Sequence, residues 1–121
     1  SLPCISAIAA SDMVFVPIKP GAFEMAGMRL LADQIASVQS TGLAKRSVRG
    51  LLTIWHNADA TRQSEDWLRE HSPIQLFTPK IRRTDKVTES TYAAQPVTRW
   101  SPTSAAARDY RAWVEELMEV L

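Results

Sequence analysis

Cysteine occurs once in the chain, at Cys4. No intramolecular disulfide can form and no cysteine cluster can hold zinc, which fits a reducing, cytoplasmic setting. Glycine is scarce. Gly21, Gly27, Gly42 and Gly50 are the only four, and none stands in a GKT or GKS context. These residues therefore contain no loop of backbone N–H groups and lysine able to cradle a triphosphate. No sign of charge dominates either: 14 Lys and Arg face 13 Asp and Glu, for a net charge of +1. A simple polycation is excluded, so contact with nucleic acid has to rest on a local patch. Nothing approaches the roughly 18 continuous apolar residues of a membrane span. The opening apolar stretch has no leading basic residue and is interrupted by Asp12 and Pro17, unlike a signal peptide, so the chain reads as soluble. There are two histidines, His56 and His71, too far apart for a helical metal motif. No nucleophile, base and orienting group can be assembled around either. Both read as surface or capping residues, and no metal site is expected.

What is present points to one compact domain. The chain has 121 residues, 45% of them apolar, enough for a core. Residues 2–10 (LPCISAIAA) predict a helix that ends near Ser11 and Asp12. Residues 13–18 (MVFVPI) predict a strand buried on both faces, as in a parallel sheet. From Ala22 the period becomes helical: Phe23, Gly27, Leu30, Leu31, Gln34, Ile35 and Val38 recur at spacings of three and four, and Gly42 marks the stop. Residues 48–55 (VRGLLTIW) predict a second strand, then a short helix over 63–70 with Trp67 and Leu68 inward. Residues 74–79 (IQLFTP) predict a third strand. Residues 80–96 read as polar and irregular, with one short helix over 85–92. Ser101 and Pro102 suit the cap and first turn of a closing amphipathic helix carrying Ala106, Tyr110, Trp113, Val114, Leu117 and Leu121. Trp55, Trp67, Trp100 and Trp113 are spread over separate elements and suit core packing rather than base stacking.

Strands that alternate with helices imply βαβ units. The fold class is α/β, a partial doubly wound and mostly parallel sheet. Three strands make a thin sheet of this kind, with at least one apolar edge exposed.

The ordered segments resemble the ParA-type partition ATPases. "AASDMVFVPIKP" followed by "FEMAGMRLL" is similar to that family's Ala-rich helix, buried strand with a proline pair, and helix with a Glu-x-x-Gly turn, here Glu24 and Gly27. "VRGLLTIWHNADATRQSEDWL" resembles its next strand and Asp/Arg/Thr loop, and "IRRTDKVTESTYAAQPVTRWSPTSAAARDYRAWVEEL" its closing segment. The likeness runs through nearly the whole chain but covers only the carboxyl-terminal half of the family's domain. The phosphate loop and the switch aspartates belong to the other half, so residues 1–121 are expected to lack the Walker A half. An intact relative would carry about 100 further residues on the amino side, an ordinary size for an α/β domain.

The resemblance implies a deviant Walker-type ATPase for plasmid or chromosome segregation, using ATP and Mg. Its cycle is ATP-dependent dimerisation, nonspecific DNA binding and hydrolysis stimulated by a centromere-binding partner. In open α/β sheets, ligands lie at the carboxyl ends of the strands. By position, Thr53 and the segment Pro79, Lys80 and Arg82 would be adenine-side contacts, although the family often has proline where Arg82 stands. Arg83 and Lys86 occupy the family's two basic loop positions, and with Arg62 would contact DNA phosphates. This chain alone is expected neither to bind nor to hydrolyse ATP. Two other readings stay open. A MinD-like positioning ATPase is disfavoured, because the chain ends EELMEVL, acidic and without the basic amphipathic helix of membrane-bound relatives. The other is a stand-alone module that buries its exposed sheet edge in a homo-oligomer.

Overall fold

The computed structural model describes residues 2–21, 25–40 and 47–121. The elements, in order, are α1 (Leu2–Ala10), β1 (Met13–Ile18), α2 (Met25–Ser40), β2 (Ser47–Trp55), α3 (Asp59–His71), β3 (Gln75–Arg82), α4 (Asp85–Tyr92), α5 (Val97–Trp100) and α6 (Ala105–Val120). The three strands form one parallel sheet in the order β1-β2-β3. This is the mixed α/β architecture, with helices against an open parallel sheet, that the alternating pattern predicts.

Side-chain alternation along β2 sorts the two faces. Leu52 joins Ile18, Met28, Leu68 and Ile74 in a core beneath α2 and α3, and Val48 extends it to Ile8 and Ile35 of α1 and α2. Gly50 sits on this face, where a Cβ would come within 2.5 Å of Leu76 Cδ2 and 2.9 Å of Ile18 Cδ1. Leu51 points the other way, into a core of Phe77, Ile81 and Ala106 capped by Val87, Tyr110, Trp113 and Leu117 of α4 and α6.

The two sheet edges differ. On β3 the backbone N–H of Thr78 donates to Glu116 at 2.9 Å and that of Arg82 to Asp109 at 2.9 Å, while Pro79 has no N–H to offer. Carboxylates from α6 thus block this edge against pairing. No strand pairs with the outer side of β1 among the described residues.

Several local expectations change. β1 is not buried on both faces: Phe15 is 40% exposed and Pro17 is exposed, because β1 is an outer strand. The helix expected over 63–70 begins at Asp59, and Arg62 N–H to the Ala58 carbonyl closes its first turn. Leu68 is fully buried, but Trp67 faces outward and stacks on His71 at 4.9 Å. Trp100 is likewise exposed, so only Trp55 and Trp113 pack inside. β3 continues to Arg82, removing part of the irregular stretch, and Val97–Trp100 adds a short helix. α6 starts three residues after Pro102. Ser104 is its cap, accepting from Ala107 N–H, while Ser101 accepts from Ser104 in the preceding turn. Gly27 lies in the first turn of α2. Phe23, Glu24 and Gly42 lie outside the described residues.

Candidate functional site

The carboxyl ends of β2 and β3 open into a cavity of about 280 Å3, on the face that α6 covers. Thr53 and Ile54 line it from β2, Ile81 and Arg82 from β3, and Arg83, Thr84, Asp85, Val87 and Thr88 from the start of α4. Tyr110 of α6 closes one side. Local structure explains the shape. Thr84 Oγ1 accepts from Lys86 N–H and starts α4 directly after the strand. The β2–β3 register shifts between Leu52 and Trp55, and Ile54 in that stretch has φ +52°. A β-branched residue in the left-handed region is strained, and here the strain lies on the cavity wall.

Of the adenine-side residues expected from the sequence, Thr53 and Arg82 line this cavity together. Pro79 and Lys80 do not: they lie within β3, not in a loop, and face a different, shallow hollow with Trp55, Thr78 and Asp109. The Lys80 ammonium sits 4.0 Å from the Trp55 ring centre and 2.8 Å from Glu65. Arg82 is also engaged. Its Nε and Nη2 donate to the two oxygens of Asp109, both at 2.9 Å, and this bidentate hydrogen bonding raises the guanidinium pKa. Glu65 is the anchor below. Burial pushes its carboxyl up, but hydrogen bonds and charge from Lys80 and Arg69 outweigh that and hold it below the ordinary range. Arg69 extends the network to the carbonyls of Phe77 at 3.0 Å and Thr78 at 2.9 Å.

The three expected DNA contacts are placed differently from one another. Arg83 lines the cavity mouth, its backbone N–H donates to the Trp55 carbonyl at 2.7 Å, and its exposed guanidinium has no carboxylate partner among the described residues. Lys86 pairs with Glu89 at 3.0 Å on the exposed surface of α4, a hydrogen bond that lowers the Glu89 pKa. Arg62 is on α3, held by Asn57 and Asp59, and lines neither the cavity nor α4. The histidines make local contacts only, His56 with Thr61 and His71 with the Trp67 carbonyl. Among the described residues no three His, Cys, Asp or Glu side chains gather around a possible metal position. No described helix is long and apolar enough to cross a membrane.

Sequence reasoning missed Ile54, Thr88 and Tyr110. A Thr followed by Asp and Lys signals the α4 start, so Thr84 was within reach; nothing local marks Ile54.

No protein-family profile matches the chain. It is 29% identical over 117 residues to an uncharacterised protein of Mycobacterium tuberculosis, in two strains, covering 95% of this chain and 37% of that protein. It is 25% identical over 116 residues to the chromosome-partitioning ATPase Soj of Thermus thermophilus, covering 94% of this chain and 47% of Soj. The chain thus spans less than half the length of these curated relatives. A distant ParA-like relation is what the likeness to Soj supports.

Proposed function

We propose that these residues form the carboxyl-terminal half of a ParA-type partition ATPase, carrying the base side of its nucleotide site and part of its DNA-binding face. The observation that carries the reading is the cavity at the carboxyl ends of β2 and β3, where an open parallel sheet binds ligands. Its position agrees with the distant likeness to Soj, a chromosome-partitioning ATPase.

In this reading Thr53 and the backbone around Arg82 and Arg83 meet the adenine, and Tyr110 forms an apolar wall. Arg82 acts mainly as a brace, because Asp109 already takes two of its donors and its backbone N–H. Pro79 and Lys80 support the strand from behind and shape the site indirectly. Triphosphate and Mg would be gripped by polypeptide other than these residues, so the 121 residues alone bind ATP poorly or not at all. DNA phosphates would meet Arg83 first, then Lys86, whose exposed pair with Glu89 is readily exchanged. Arg62 contributes long-range charge. The intact protein would dimerise with ATP, bind DNA without sequence preference and respond to a centromere-binding partner.

Calorimetric titration of ATP tests the nucleotide half. The protein as its gene encodes it should bind ATP with Mg, and Tyr110→Ala should weaken binding about tenfold or more, the scale of one lost aromatic contact. Equal affinity in the two proteins would remove the cavity from the site. Micromolar binding by residues 1–121 alone would contradict the division of labour.

A further inference from the structure

On the α6 side of the sheet three side chains stand in a row, one per strand: Phe15, its register partner Arg49, and Phe77. Phe77 is fully buried and Arg49 Cζ lies 5.8 Å from its ring centre. Trp113 of α6 meets Phe15 at 5.3 Å and Phe77 at 5.8 Å, edge-on to both. α6 packs along β3, so the β1 end of the row stays open and Phe15 is exposed. Two donors in this row, Arg49 Nε and Trp113 Nε1, are buried yet have no acceptor among the described residues. Buried donors are normally satisfied, and a half-buried guanidinium without a carboxylate is costly.

We infer that the Phe15–Arg49–Trp113 row is a docking site for an apolar helix that brings a carboxylate to Arg49, supplied by further polypeptide of the same protein. Three observations favour that occupant. Parallel sheets are covered on both faces, and only the β1 end of this face is bare. The β3 edge is closed by Asp109 and Glu116, so the sheet can grow only past β1, which brings added chain beside Phe15. The relatives are more than twice as long as the stretch matched here. The inference rests on the proposed reading of the chain as part of a longer ATPase.

The test places a thiol in the row. In the protein as its gene encodes it, Phe15→Cys in a Cys4→Ser background is reacted with Ellman's reagent, native and in urea. Burial under a docked helix predicts native labelling about 100-fold slower than in urea, independent of protein concentration. Arg49→Ala in the same background should restore about tenfold of the rate, because the carboxylate loses its partner. Labelling near the unfolded rate overturns the inference. So does protection that appears only as concentration rises, which would make a second copy the occupant. Should the cysteine variant fail to fold, the unsubstituted protein answers by NMR. The Arg49 Nε–H cross-peak, identified by its loss in Arg49→Lys, should exchange slowly with water, and fast exchange overturns the inference. An ATP titration of the same sample separates the two ideas: ATP binding with an accessible Phe15 keeps the ATPase reading and removes this one, whereas a protected Phe15 without ATP binding does the reverse.

Discussion

Glu116 of α6 holds Thr78 of β3 by two hydrogen bonds, accepting from the backbone N–H at 2.9 Å and from the hydroxyl at 3.1 Å. One carboxylate thereby ties the last helix to the sheet and occupies a donor that would otherwise invite a foreign strand. Asp109, two turns earlier, does the same for Arg82. Together they make β3 a terminus of the sheet and leave β1 as the side on which it can be extended.

Glu116→Ala should therefore have two effects. Loss of hydrogen bonds to a charged, partly exposed group costs about 1–2 kcal/mol, read as a lower urea midpoint at unchanged slope. Freed strand donors should also raise the tendency to associate, measured by light scattering against concentration. A stable, monodisperse variant would show that the contact does not guard the edge.

Asp109→Ala strips three hydrogen bonds from Arg82 at once and leaves its backbone N–H without an acceptor. A loss of about 2–3 kcal/mol is expected, larger than for Arg82→Ala, which removes the cation but lets Asp109 keep the backbone donor. Chemical denaturation of the two variants side by side gives the order, and the reverse order would contradict the bracing role.

Glu65 sets an acid limit. Its carboxyl is held below the ordinary value of 4.5 in the folded chain, so the unfolded state binds the proton more readily. The stabilisation is complete above about pH 4.5 and is lost as pH falls through the lower folded value. Glu65→Gln should be less stable at neutral pH and should flatten the decline of stability in this acid window. A variant with the parent's full acid slope would place the titration elsewhere.

Ile54 carries a left-handed backbone that β-branched side chains rarely adopt. It is about half exposed, so its side chain contributes little to the core. Ile54→Asn should raise stability by about 1 kcal/mol, because asparagine tolerates that conformation. Thermal unfolding of the two proteins decides; a destabilised variant would mean that the isoleucine packs more tightly than its exposure implies.

Much of the sheet was legible from apolar runs such as MVFVPI and VRGLLTIW, and the α/β class followed from their alternation with helical periods. What was not legible depended on partners far apart in sequence. Arg82 counted as a ligand contact by position, yet its head group answers to Asp109, 27 residues on. Lys80 looked like part of a basic patch, but Glu65 and the Trp55 ring claim it from elements before it. Phe15 read as buried because the run around it is apolar; its exposure reflects which strand lies at the edge, which no local pattern encodes. Thr53 was found because the carboxyl end of a strand is a position that sequence can mark.

The central claim is ATP-coupled DNA binding through Arg83 and Lys86. Its most direct test is the affinity of the gene-encoded protein for nonspecific duplex DNA as a function of salt, with and without ATP. The account predicts at least about tenfold tighter binding with ATP, and a log–log salt slope shallower by about 2 in the Arg83→Ala, Lys86→Ala double variant, one phosphate contact per cation. An affinity indifferent to ATP, together with an unchanged slope in the double variant, would contradict it.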